Sequence, residues 1–231
     1  NNVIASNDGG QKPRAYLKLG LAYYNSNNNT QALAAYSKLI KIYPQSAEAD
    51  EAMDIVKDIY VAEGKTDDYV ALMKQAGKNV SVSEADSLSY ASALAKYNTG
   101  DCNAGISSFT NYLNKYPTGS YALDANYLRS ECYQKNKDWT NAVTGYAAVN
   151  AAGNSKYFER ATLEAARISY FELKDYAAAK KYFESVINNS VSEDNRLEAL
   201  RGLVRSYYQL KDYTQANAAA KELSAGKGIS T

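Results

Sequence analysis

Histidine is absent from these 231 residues, and proline, cysteine and tryptophan number three, two and one. Without histidine the chain lacks the usual general base near neutral pH, the commonest metal ligand and every Ser–His or Cys–His nucleophile pair. Catalysis by carboxylates such as Asp54, Asp58 and Glu131 would need a pair fixed in one pocket, and no motif fixes one. The composition therefore reads as a protein that is not an enzyme and holds no metal or other cofactor. Cys102 and Cys132 make no disulfide framework. With ample apolar content around them they read as two free, half-buried thiols. A single bridge is the alternative, because both fall near the same end of adjacent helices. Long apolar runs are missing: Lys, Asp, Asn or Gln interrupts each within a turn, so none approaches the roughly 20 residues of a membrane helix. Charge of one sign is missing as well. With 26 Lys and Arg against 25 Asp and Glu, no global field favours nucleic acid or an anionic surface.

What the chain has is a period. A turn residue recurs as Asn28, Lys65, Asp101, Asp138, Asp175 and Asp212, at spacings of 37, 36, 37, 37 and 37. Four positions on stand Ala32, Tyr69, Gly105, Ala142, Ala179 and Ala216. Four further on stand Tyr36, Met73, Phe109, Tyr146, Phe183 and Ala220, so small and large residues share one helix face. Around each turn lie two apolar helical patterns, which predicts helical hairpins repeated six times, each needing its neighbours to bury its face. Asp138, Asp175 and Asp212 are placed to cap the second helices. Gly64-Lys65-Thr66, which looks like the end of a phosphate loop, lacks the first glycine and the preceding strand, and reads as the second hairpin's turn. The units run about 13–49, 50–85, 86–122, 123–159, 160–196 and 197–224, between a flexible lead-in at 1–12 and a flexible tail at 225–231. Because the chain opens on Asn1 and not Met, a preceding signal or lipoprotein segment is expected to have been removed or left out.

The first unit carries Tyr16, Leu19-Gly20, Tyr23, the turn Asn27 to Asn29, Ala32, Tyr36 and Pro44, and its first-helix Tyr returns as Tyr60, Tyr133, Tyr170 and Tyr207. In these residues the chain resembles the tetratricopeptide repeat family, over residues 13–223. The resemblance implies an all-α, right-handed α-solenoid of about six helix-turn-helix repeats. The 37-residue period and the joints Tyr43-Pro44-Gln45-Ser46 and Tyr116-Pro117-Thr118-Gly119-Ser120 look most like bacterial cell-envelope members, of the Tol–Pal coordinator and outer-membrane assembly lipoprotein type. Departures are Lys57 and Arg167 in place of the glycine, and Tyr69 in place of the small residue. Looser helix contact is expected at all three.

The resemblance also implies that the first helix of each hairpin lines a concave inner wall. Aligning the units puts Leu17, Asp54, Tyr90, Tyr127, Glu164 and Arg201 in one row. A second row is Leu21, Asp58, Leu94, Glu131, Ile168 and Arg205, and a third is Tyr24, Val61, Tyr97, Gln134, Phe171 and Tyr208. The expected partner-binding residues are Tyr24, Asp54, Asp58, Tyr90, Tyr97, Tyr127, Glu131, Arg201, Arg205 and Tyr208, since exposed Tyr among polar groups suits protein interfaces. Asp50, Asp54 and Asp58, joined by Glu48 and Glu51, form an acidic ridge. It could meet a basic partner or a hard cation, but reads first as a solvated face. Family members that grip a carboxylate-ended chaperone tail use Lys and Asn where this chain has Leu17 and Leu21, so that mode is not expected.

The function expected is a non-catalytic protein–protein interaction scaffold taking a peptide or partner domain in the groove, within a bacterial envelope assembly. The partner is a protein and not nucleic acid. The chain does not span a membrane, and membrane association would come through the missing N-terminal segment. The compartment expected is the bacterial envelope, periplasmic or outer-membrane-associated, with the cytoplasm as alternative. The alternative function is a glycan-binding accessory protein in which Tyr and Trp139 stack on sugars. Trp139 shares its turn position with Tyr176 and Tyr213, which suits packing better.

Overall fold

The computed structural model describes residues 10–153 and 155–225, and every regular element among them is an α-helix. The helices are α1 (Lys12–Asn25), α2 (Asn29–Ile42), α3 (Ala47–Glu63), α4 (Thr66–Gln75), α5 (Val82–Asn98) and α6 (Cys102–Lys115). They continue as α7 (Ala122–Lys135), α8 (Trp139–Ala151), α9 (Phe158–Phe171), α10 (Tyr176–Asn189), α11 (Glu193–Gln209) and α12 (Tyr213–Ala225). Residues 1–9 of the expected lead-in and 226–231 of the expected tail lie outside the described residues. Lys12 already belongs to α1. The chain packs as two compact units, Asn1–Thr99 with α1 to α5 and Gly100–Thr231 with α6 to α12.

The turn chemistry is uniform. In every hairpin the residue just before the second helix's cap adopts a left-handed backbone: Asn27, Lys137, Lys174 and Lys211 at φ 56 to 62°, Gly64 at 80° and Gly100 at 83°. The next residue caps. Asn28, Asp138, Asp175 and Asp212 each accept a backbone N–H three residues on, and Asp101 accepts two, from Asn103 and Ala104. These bonds satisfy donors that a helix start leaves open. Lys65, with no acceptor, makes no such bond. Ser46, Ser81 and Ser192 cap α3, α5 and α11 in the same way. They start those helices up to four residues ahead of the unit starts at 50, 86 and 197 that the apolar pattern suggests.

Within the first unit the core gathers Tyr36, Leu39 and Ile40 of α2 with Ala49, Ala52, Val56 and Ile59 of α3. In the second unit Tyr127, Tyr146, Val149 and Ile168 form one cluster, and Leu163, Phe183, Val186 and Leu203 another. Trp139 packs against the former as a partly buried side chain, in keeping with a packing role. Gly20 lies against the Tyr36 ring, which a Cβ would overlap; in the fourth hairpin the bare position moves to Gly145, facing Ser130. Looser packing is found between α3 and α4, where Lys57 and Tyr69 replace small residues. It is not found between α9 and α10, because Arg167 turns outward into ion pairs instead of into the helix contact.

The expectation of two free thiols is corrected: Cys102 and Cys132 are joined as a disulfide, their Cα atoms 4.9 Å apart. Cys102 opens α6 and Cys132 lies near the end of α7, and an antiparallel pair brings those two ends together.

Candidate functional site

First helices stack on one another within each unit, α1 on α3 and α3 on α5 in the first, α9 on α11 in the second. The side chains they turn away from the second helices are the expected wall. Their states differ widely, and that difference separates structural positions from open ones.

In the first unit Tyr24 is 39% exposed, and Asp54 and Asp58 are exposed, whereas Tyr90 and Tyr97 are half-buried. Two members of the acidic ridge are already paired: Asp54 accepts Lys57 at 3.1 Å and Asp50 accepts Lys78 at 3.3 Å. The hydrogen bond to Asp54 is the main reason the Lys57 ammonium sits above its ordinary pKa. No group of three Cys, Asp or Glu side chains gathers as a metal site among the described residues. Gly64 and Lys65 form the α3–α4 turn, and Thr66 begins α4.

In the second unit the expectation for Tyr127 is corrected. Its ring is only 3% exposed, stacked on Tyr157 at 4.2 Å, and its hydroxyl donates to Glu131 at 2.9 Å. The cause lies in the joint before α9. Tyr157 donates to Asp124 at 3.0 Å, the Lys156 ammonium reaches the same oxygen at 2.6 Å, and the joint folds down over Tyr127. Burial, then the hydrogen bond to Glu131, pushes the Tyr127 phenol well above its usual range. Glu131 is engaged too, accepting Tyr127 and pairing with Arg160 at 3.2 Å.

The polar network continues along the wall. Gln134 takes the Tyr146 hydroxyl at 2.7 Å and donates to Glu164 at 2.8 Å. Arg167 donates to Glu164 at 2.6 Å and, through two nitrogens, to both oxygens of Glu198 at 2.7 Å. Burial pulls the Arg167 pKa down, but the two carboxylates outweigh it and the net shift is upward. None of these ties was legible as a pair. Those that run from one first helix, or the joint leading into it, to the next span 29 to 33 residues, just under one period, and that spacing is their only signal.

Beyond Glu198 the wall opens. Arg201 and Arg205 are exposed on successive turns of α11 and make no ion pair or hydrogen bond among the described residues, and Tyr208, one turn further, is 62% exposed. Beside them α9 presents Phe171, 50% exposed. Between the two helices lies a pocket of about 170 Å³ lined by these arginines, Phe171, Tyr170, Phe183 and Gly202, with Arg167 and Glu198 at its edge. Phe171 belongs to the aligned third row but was not singled out as a binding residue, because an apolar residue in a helical pattern first reads as core.

The tetratricopeptide repeat family model matches residues 14–46 and 163–190. These segments are tetratricopeptide repeats, and they hold the first hairpin and the one carrying Arg167 and Phe171. Tetratricopeptide repeats are protein-interaction units and are generally non-catalytic. No curated protein matches the chain. Among solved structures, PilW, a widely conserved type IV pilus biogenesis factor, is similar at 18% identity over 96% of each chain, TM-score 0.44. Pseudomonas aeruginosa PilF is 18% identical over 91% of this chain and 90% of its own, TM-score 0.42. A tetratricopeptide repeat protein from Parabacteroides merdae is 14% identical over 93% and 79%, TM-score 0.38. No helix of the described residues is long and apolar enough to cross a membrane.

Proposed function

We propose that this chain is a non-catalytic scaffold that holds a protein partner on the wall formed by its first helices, within a bacterial envelope assembly. The observation that carries the reading is the contrast along α9 and α11. Within the second unit the side chains from Tyr127 to Arg167 are spent on internal hydrogen bonds, whereas Arg201, Arg205, Tyr208 and Phe171 stand open around a pocket. Mixed guanidinium and aromatic surface is the composition protein interfaces favour. The Cys102–Cys132 bridge supports an extracytoplasmic compartment, since such bonds persist where the medium is oxidising, as in the periplasm. The joints at Pro44 and Pro117 support the envelope branch of the resemblance. Tyr24, Asp58, Tyr90 and Tyr97 remain part of the proposed face in the first unit.

The test is a photo-crosslinking amino acid at position 208, beside a control at the exposed Lys181 of α10, in source cells fractionated into envelope and cytosol. Discrete adducts from position 208 in the envelope fraction, absent from position 181, are expected. Equal labelling from both positions would remove the wall as the binding face, and adducts confined to cytosol would remove the compartment.

A further inference from the structure

We propose that the α9–α11 pocket selects an acidic peptide segment by seating one aromatic or aliphatic side chain beneath Arg201 and Arg205. The proposal deepens the scaffold reading and rests on it.

The pocket's floor is apolar. Phe183 reaches it from α10, and Gly202 leaves it room, since a Cβ there would overlap the Phe183 ring. Tyr170 and Phe171, in edge contact at 4.8 Å, form the α9 side. About 170 Å³ is below the roughly 300–1,000 Å³ of small-molecule sites, so the space suits one side chain better than a cofactor.

The rim sets the charge. Of the four charged groups that line the pocket, Arg167 and Glu198 are tied to each other by paired hydrogen bonds, Arg167 also donating to Glu164. Arg201 and Arg205 remain, four residues apart on one face, exposed and without an ion pair among the described residues. A ligand whose apolar anchor is flanked by Asp or Glu satisfies floor and rim together, while a basic ligand meets two uncompensated guanidiniums. This is a lateral pocket for an internal segment. It uses neither of the first-unit positions, Leu17 and Leu21, where a tail-gripping site would need polar groups.

The experiment is fluorescence anisotropy with three labelled nine-residue probes: Asp and Glu around a central Phe, the same with Ala for Phe, and Lys around Phe. The acidic Phe probe is expected to bind best and to weaken as salt rises from about 50 to 500 mM. Arg201→Gln with Arg205→Gln should weaken it by about ten-fold or more, and Phe171→Ala should weaken it without changing the salt dependence. Circular dichroism would verify that the variants melt like the wild type. Equal binding of the Lys probe, of the Ala probe or of the double variant overturns the proposal. So does concentration-dependent self-association abolished by the double variant, which would make a second copy the occupant. Crosslinking at position 208 that persists with none of the probes binding would sink this inference and leave the scaffold reading standing.

Discussion

Tyr146 donates its hydroxyl to Gln134 at 2.7 Å, from the second helix of the fourth hairpin to the first. The equivalent Tyr36, wholly buried in the first hairpin, finds no hydrogen-bond partner for its hydroxyl among the described residues. Burial, with the Glu51 charge next, pushes the Tyr36 phenol up to about 12, so it stays neutral at physiological pH. Tyr146→Phe should therefore lower stability by about 1 kcal/mol, while Tyr36→Phe should leave it unchanged or raise it by about 1 kcal/mol. Urea denaturation of both variants decides the matter, and equal losses would contradict it.

Glu159 gathers the joint between α10 and α11, accepting Ser190 at 2.7 Å, the Val191 N–H at 2.8 Å and Asn195 at 2.6 Å. The Ser190 bond leads the causes that hold its carboxyl below the usual value of 4.5. A lowered folded-state pKa means the unfolded chain binds the proton first. The contribution is thus whole above the unfolded pKa and fades as pH falls through the folded one. Glu159→Gln should lower the melting temperature at pH 7 and differ less from the wild type below about pH 4. A constant difference across that range would show that the charge is not what matters.

The left-handed turn residues give a paired test. Lys174, at φ 56°, bears a side chain in a conformation that costs about 1–2 kcal/mol, against about 0.5–1 kcal/mol of extra chain entropy for glycine. Lys174→Gly should therefore stabilise by about 0.5–1 kcal/mol. Gly64→Ala should destabilise by a similar amount, since its added Cβ meets only Ser92 Oγ at 3.8 Å and the backbone is the sole source of strain. Calorimetric melting of both variants should move in opposite directions.

The bridge between Cys102 and Cys132 closes a loop 30 residues long in sequence. Reduction, or Cys102→Ser with Cys132→Ser, should cost about 2–4 kcal/mol on the chain-entropy scale. Thermal unfolding with and without reductant reads this directly, and the double serine variant should lose its response to reductant.

The sequence by itself determined the hairpins and their caps, because local chemistry decides them. A turn residue every 36 or 37 positions, a small residue four later and a large one eight later leave few other ways to bury one helix face. The caps at Asp138, Asp175 and Asp212 needed only a carboxylate ahead of an apolar pattern. The candidate site was legible as a face: Arg201, Arg205 and Tyr208 are where the aligned rows put them, exposed on α11. Which members of a row stay open was decided by tertiary contacts about one repeat away. Tyr127 was buried by Tyr157, Glu131 was taken by Arg160, and Glu164 was taken by Gln134. The pairing of Cys102 with Cys132 belongs to the same class, fixed by two helix ends meeting in space. A period gives each side chain its face, whereas its partners come from the neighbouring repeat, whose joint differs from one hairpin to the next.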